Sequence, residues 1–90
     1  MTRVRRTRRF EKDLEKAPTH IRDKAIFWIE LVESLGLTAV RKRPGFHDEP
    51  LKGQRVGQRS VRLNIVYRLI YKEIKGVVEI LLLEVSRHEY

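Results

Sequence analysis

Between Pro18 and Leu35 the apolar residues Ile21, Ala25, Trp28, Ile29, Val32 and Leu35 recur at helical spacing, with Arg22, Asp23, Glu30 and Glu33 on the other side. This spacing predicts a helix. Pro18 suits its first turn and Gly36 suits the position just past its end. Phe27 and Leu31 fall off the main stripe, which leaves either a wide buried face or an apolar surface for a partner. Upstream, Phe10 and Leu14 stand four apart among Glu11, Asp13 and Glu15, predicting a short amphipathic helix from Arg9 to Lys16 that stops near Ala17-Pro18. Leu37 to Arg43 has room for one more helical turn before Pro44-Gly45 opens the polar loop PGFHDEP.

The second half of the chain changes period. Val61 and Leu63 alternate with Ser60, Arg62 and Asn64. Tyr67, Leu69 and Tyr71 then alternate with Val66, Arg68 and Ile70, as two strands joined tightly near Asn64 would require. After Lys75-Gly76 the run VVEILLLEVS is long, apolar and branched, which predicts a strand buried on both faces and central in its sheet. Val4, between arginines, allows a short first strand. The predicted fold is α+β: an N-terminal strand and a helical hairpin packed on one face of a mostly antiparallel four-stranded sheet, a single domain over residues 1–90. If Tyr67, Leu69 and Tyr71 face the helices, Arg68 points from the opposite, uncovered face, and Arg62 can join it from the neighbouring strand.

Twenty Lys and Arg against twelve Asp and Glu give a formal net charge of +8, so polyanions are the first partners to consider. Most of the cations are arginines, whose planar fork pairs bidentately with phosphate. There is no cysteine, hence no disulfide framework and no thiolate zinc site. No apolar run of signal-peptide length follows MTRVRRTRRF, and no eighteen consecutive apolar residues occur, so a cytoplasmic protein with no membrane partner is expected. No GxxxxGK[ST], GxGxxG or GxSxG motif is present, and His20, His47 and His88 lack metal-ligand spacing; no metal and no cofactor is expected.

The candidate chemistry lies on the arginine-bearing face. Arg62 and Arg68 would meet Lys52, Arg55 and Arg59 from the preceding segment and Arg87 and His88 from the chain end. Such a face is either a solvated basic surface or a phosphate cradle. Placement of arginines on strands and the nearness of Tyr67, Tyr71 and Tyr90 for stacking favour the cradle. RNA cleavage through the ribose 2′-OH needs a base, cations around the phosphorane and an acid for the leaving 5′-oxygen, and glutamate, arginine and histidine or tyrosine meet those needs.

The block HDEPLKGQRVGQRSVRLNIVYRLIY and the ending EVSRHEY, in this order after a helical hairpin, resemble the RelE/ParE toxin superfamily, and within it the HigB, YoeB and YafQ-like ribosome-dependent mRNA interferases. The resemblance implies a type II toxin that cleaves mRNA in the ribosomal A site without metal and is neutralised by a cognate antitoxin. It implies Glu49 as general base, with His47 competing for or sharing that role, and Arg68 as the phosphate-binding arginine. His88 would be the general acid, Tyr90 a stacking or proton-transfer group, and Lys52, Arg59 and Arg62 ligands of the RNA backbone. Glu89 separates His88 from Tyr90, where YoeB-like toxins have the pair adjacent. Two other readings remain: a ParE-like inhibitor of DNA gyrase that cleaves nothing, and a basic nucleic-acid-binding module.

Overall fold

The apolar stripe of the long helix becomes α2 (Thr19–Leu35), with Ile21, Ala25, Trp28, Ile29 and Val32 all buried. The computed structural model describes residues 2–85. Ahead of α2 lie β1 (Arg3–Arg6) and α1 (Arg8–Lys16), and after it α3 (Leu37–Arg41). Then follow β2 (Glu49–Pro50), β3 (Gln58–Arg62), β4 (Tyr67–Ile74) and β5 (Val77–Val85), with short 3-10 turns at Pro44–Phe46 and Gly53–Arg55. Gly36 ends α2 at φ 86°, and its N–H donates to the Val32 carbonyl at 2.9 Å. Thr7 starts α1. Its hydroxyl oxygen accepts from the Phe10 N–H at 3.2 Å and lies 2.8 Å from the carbonyls of both Ile80 and Leu81, so one side chain caps the helix and ties it to β5.

The sheet runs β1-β5-β4-β3-β2, parallel between β1 and β5 and antiparallel elsewhere. It has five strands, not the four expected. The additional one is the two-residue β2, in which Glu49 pairs with Ser60 and Pro50 with Arg59. Two residues are too few to show alternation, and a proline reads against a strand except at an edge, where this one lies. The apolar run VVEILLLEV is interior, flanked by β1 and β4, but the middle strand is β4.

The helices pack on one face of the sheet. Val61, Leu69, Tyr71, Val78, Ile80 and Leu83 join Phe10, Ile21, Trp28 and Val32 in one buried cluster, with the Trp28 and Tyr71 rings 5.1 Å apart. Leu31 packs against this cluster while Phe27 stays about half exposed, so the residues off the stripe divide between a wide core face and the surface. Ile80 and Leu83 share the core although three residues apart, which a regular strand forbids. A bulge resolves this: Ile70 pairs with Leu82 but Tyr71 with Ile80, leaving Leu81 without a partner in β4. The bulge reverses the alternation and sends Glu84 to the face away from the helices.

Candidate functional site

Residues directly opposite one another in a ladder share a face, so the register of β2 to β5 sets the content of the face away from the helices. One row across it is Arg62, Arg68 and Glu84. The neighbouring row is Glu49, Ser60, Ile70 and Leu82. Glu49 is therefore two strands and one row from Arg68, a Cα separation of about 12 Å from ordinary strand spacing and rise. A group bound between them is within reach of both side chains.

Arg62 and Arg68 are a directly opposed pair of like charges, an arrangement that destabilises a sheet. Glu84 stands opposite Arg68 on the other side, but its carboxylate is held by the Arg55 guanidinium at 2.9 and 3.3 Å. Among the described residues no carboxylate forms an ion pair with Arg62 or Arg68. Two adjacent cations with no carboxylate paired to them among the described residues are chemically suited to an anion.

This face is not uncovered, as the alternation alone had implied. Ser60 and Ile70 point into it yet are buried, and neither belongs to the helix-side cluster. Arg55, in the turn Gly53–Arg55 between β2 and β3, reaches Glu84 on β5, so its side chain extends over this face. Lys52, just before that turn, is exposed.

The loop from His47 to Glu49 is anchored through Asp48, whose side chain is only 1% exposed. One carboxylate oxygen accepts from Arg59 Nε at 2.6 Å, the other from the Tyr71 hydroxyl at 2.6 Å, and Tyr71 in turn accepts from Arg41 Nε at 3.2 Å. Burial, and then the hydrogen bond to Asp48, push the Tyr71 hydroxyl well above the usual tyrosine range, with Arg41 opposing. For Arg59, burial works against the charged form, but the hydrogen bond and attraction to Asp48 outweigh it and leave the guanidinium above its ordinary value. His47 adopts a left-handed backbone, φ 44° and ψ 51°, and is exposed, as is Glu49.

Of the residues singled out from the sequence, Glu49, Arg62 and Arg68 are brought to one face, with Lys52 and Arg55 on the connection beside it. Arg59 is not with them. Its ladder partner is Tyr71, which places it on the helix side, and Asp48 occupies its guanidinium. Arg87, His88 and Tyr90 lie outside the described residues. Asp48, Arg41 and Glu84 were not anticipated. For Asp48 a signal existed: Tyr71 was expected to face the helices, where a buried phenol needs a polar partner.

No protein-family model matches the sequence, and no curated protein matches it. Solved structures do match by fold. YafQ from E. coli strain BL21(DE3) superposes with a TM-score of 0.78 at 18% identity, over 96% of this chain and 94% of that one. The YoeB dimer from Staphylococcus aureus gives 0.72 at 16% identity, over 96% and 98%. RelE, in its complex with RelB from Pyrococcus horikoshii OT3, gives 0.73 at 24% identity, over 94% and 96%. The chain has the fold of these proteins, as the RelE-like arrangement of hairpin and sheet had implied.

Proposed function

We propose that this protein, which shares the fold of YafQ, YoeB and RelE, is the toxin of a toxin–antitoxin pair and cleaves messenger RNA in the ribosomal A site. The observation that carries the reading is the opposed pair Arg62 and Arg68, which forms no ion pair with a carboxylate among the described residues and lies one row from Glu49. A solvated basic surface has no need to hold two arginines in direct opposition on interior strands. A phosphate between them removes the repulsion and is gripped from two sides.

In this reading Glu49 takes the proton from the ribose 2′-OH, and the freed oxygen attacks the adjacent phosphorus. Arg68 and Arg62 stabilise the charge that builds on the phosphorane, with the sheet and the buried Ile70 beneath them excluding solvent from one side. The bond to the 5′-oxygen breaks as that oxygen is protonated, leaving a 2′,3′-cyclic phosphate and a 5′-hydroxyl. The resemblance assigns the acid to His88, with Tyr90, two residues on, as a stacking or proton-transfer group. Similar structures include YafQ with DinJ and RelE with RelB, and a partner protein with an acidic segment fits the cationic face here.

The test is a purified ribosome complex carrying a message with a 2′-O-methyl group at the A-site nucleotide. The unmodified message should be cut and the methylated one should stay intact; equal cutting of both would exclude attack by the 2′-oxygen.

A further inference from the structure

We infer that Asp48 is a positioning residue that fixes the two candidate bases on either side of it, His47 and Glu49, and so sets the cleavage rate without touching RNA; this rests on the proposed cleavage reaction. The segment that carries Glu49 has little to hold it. β2 is two residues long and, among the described residues, lies at the sheet edge and pairs only with β3. One of those residues is a proline, which gives the ladder no N–H. Backbone pairing alone cannot hold a carboxylate with the accuracy that proton abstraction requires.

Asp48 supplies the missing constraint. Its carboxylate binds Arg59 on β3 and the Tyr71 hydroxyl on β4 at 2.6 Å each, and Tyr71 is linked onward to Arg41 at the end of α3. Arg59 and Tyr71 are themselves ladder partners, so the anchor is built on rigid strands. With Asp48 turned to the helix side, the next residue in an extended chain turns the other way, and Glu49 meets the face that carries Arg62 and Arg68. On the other flank, His47 holds a left-handed backbone that side chains disfavour. Such a conformation persists only where its neighbours are fixed. Phe46 is buried on one side of it and Asp48 on the other.

A structural role alone explains this arrangement less well. A buried carboxylate is costly to desolvate, and an apolar side chain of similar volume often serves stability equally well or better. A carboxylate with two directional partners instead fixes where the backbone runs, and the residues so fixed are the two that compete for the role of base.

The experiment compares Asp48→Asn and the milder Tyr71→Phe with Thr7→Ala, a destabilising change at the far end of α1. Two quantities are read: the backbone carbon shifts of His47 and Glu49 in the free protein, and the single-turnover rate and KM for cleavage of ribosome-bound message. Asp48→Asn should move His47 out of its left-handed shift range and slow cleavage about 100-fold with KM unchanged, the loss expected for a misplacement of about 1 Å. Tyr71→Phe should give a smaller change in both, and Thr7→Ala should cleave like the parent protein. Unmoved His47 and Glu49 shifts in both folded variants would overturn the inference, as would moved shifts with cleavage no slower than in Thr7→Ala. If Asp48→Asn does not fold, Tyr71→Phe decides by the same criteria. If the parent protein leaves the message intact, cleavage fails as a reading, and the shifts still decide whether Asp48 sets the loop.

Discussion

Replacing Arg68 by alanine separates chemistry from folding in one substitution. Arg68 is half-buried on the middle strand and directly opposite Arg62. Truncation loses packing of its aliphatic stem, a surface-like loss of about 0.5 kcal/mol. It also removes the like-charge opposition with Arg62, worth about 0.2–1 kcal/mol in the other direction. The two contributions nearly cancel, so thermal unfolding should shift by no more than about 4–8 °C, the change equivalent to 1 kcal/mol in a domain of this size. Loss of a pre-placed donor to the phosphorane should cost far more in rate, about 100- to 1000-fold in kcat, or roughly 3–4 kcal/mol. The assay is cleavage of ribosome-bound message under single-turnover conditions beside a calorimetric scan of the same sample. Arg68→Lys, which keeps the charge but not the fork, should fall between the two. Parent-like cleavage by Arg68→Ala would refute the reasoning, and so would a rate loss fully matched by a fall in melting temperature.

Three further outcomes follow from contacts elsewhere in the fold. The Tyr71 proton is held in the folded state above its ordinary value of 10.0, so its contribution is complete below about pH 10 and is lost as pH rises beyond that value, at up to about 1.4 kcal/mol per pH unit. Urea unfolding at about pH 9 and about pH 11 should show a smaller alkaline loss in Tyr71→Phe than in the parent; identical losses would mean that the phenol is not the group responsible. Thr7→Ala should lower stability by about 1–2 kcal/mol in equilibrium denaturation, because it removes the α1 cap and the tie to β5 together; an unchanged midpoint would contradict that double role. Glu84→Gln frees Arg55 from its carboxylate and should tighten binding of a non-cleavable oligoribonucleotide. The slope of log K against log salt should steepen by about 0.7, one added phosphate contact to a single strand, and an unaltered slope would show that Arg55 does not reach the RNA.

The order of elements and the two faces of the sheet were legible because each depends on a period carried by several residues. Seventeen residues of α2 repeat one pattern, and Tyr67, Leu69 and Tyr71 repeat another, from which the placement of Arg68 follows directly. β2 was not legible, since a two-residue edge strand containing Pro50 has no period to read. The bulge at Leu81 was hidden inside an apolar run whose residues fit either face, and with it the arrival of Glu84 beside Arg68. Arg59 was misplaced for a different reason: it was grouped with Arg55 and Arg62 by charge, although strand alternation sets it on the Val61 face, opposite Arg62, where the ladder pairs it with Tyr71. In the string His47-Asp48-Glu49 all three residues read as loop polarity. The middle one is an interior anchor, a distinction set by partners 11 and 23 residues away.

Whether the arginine pair and Glu49 act on RNA held by the ribosome is decided by primer extension on a message in a translating extract, with DNA supercoiling by gyrase followed in parallel. Addition of the protein should produce a new 5′ end within the A-site codon, absent without ribosomes and absent with Arg68→Ala, while supercoiling proceeds normally. A full-length message together with inhibited supercoiling would instead transfer the cationic face to a gyrase-binding role.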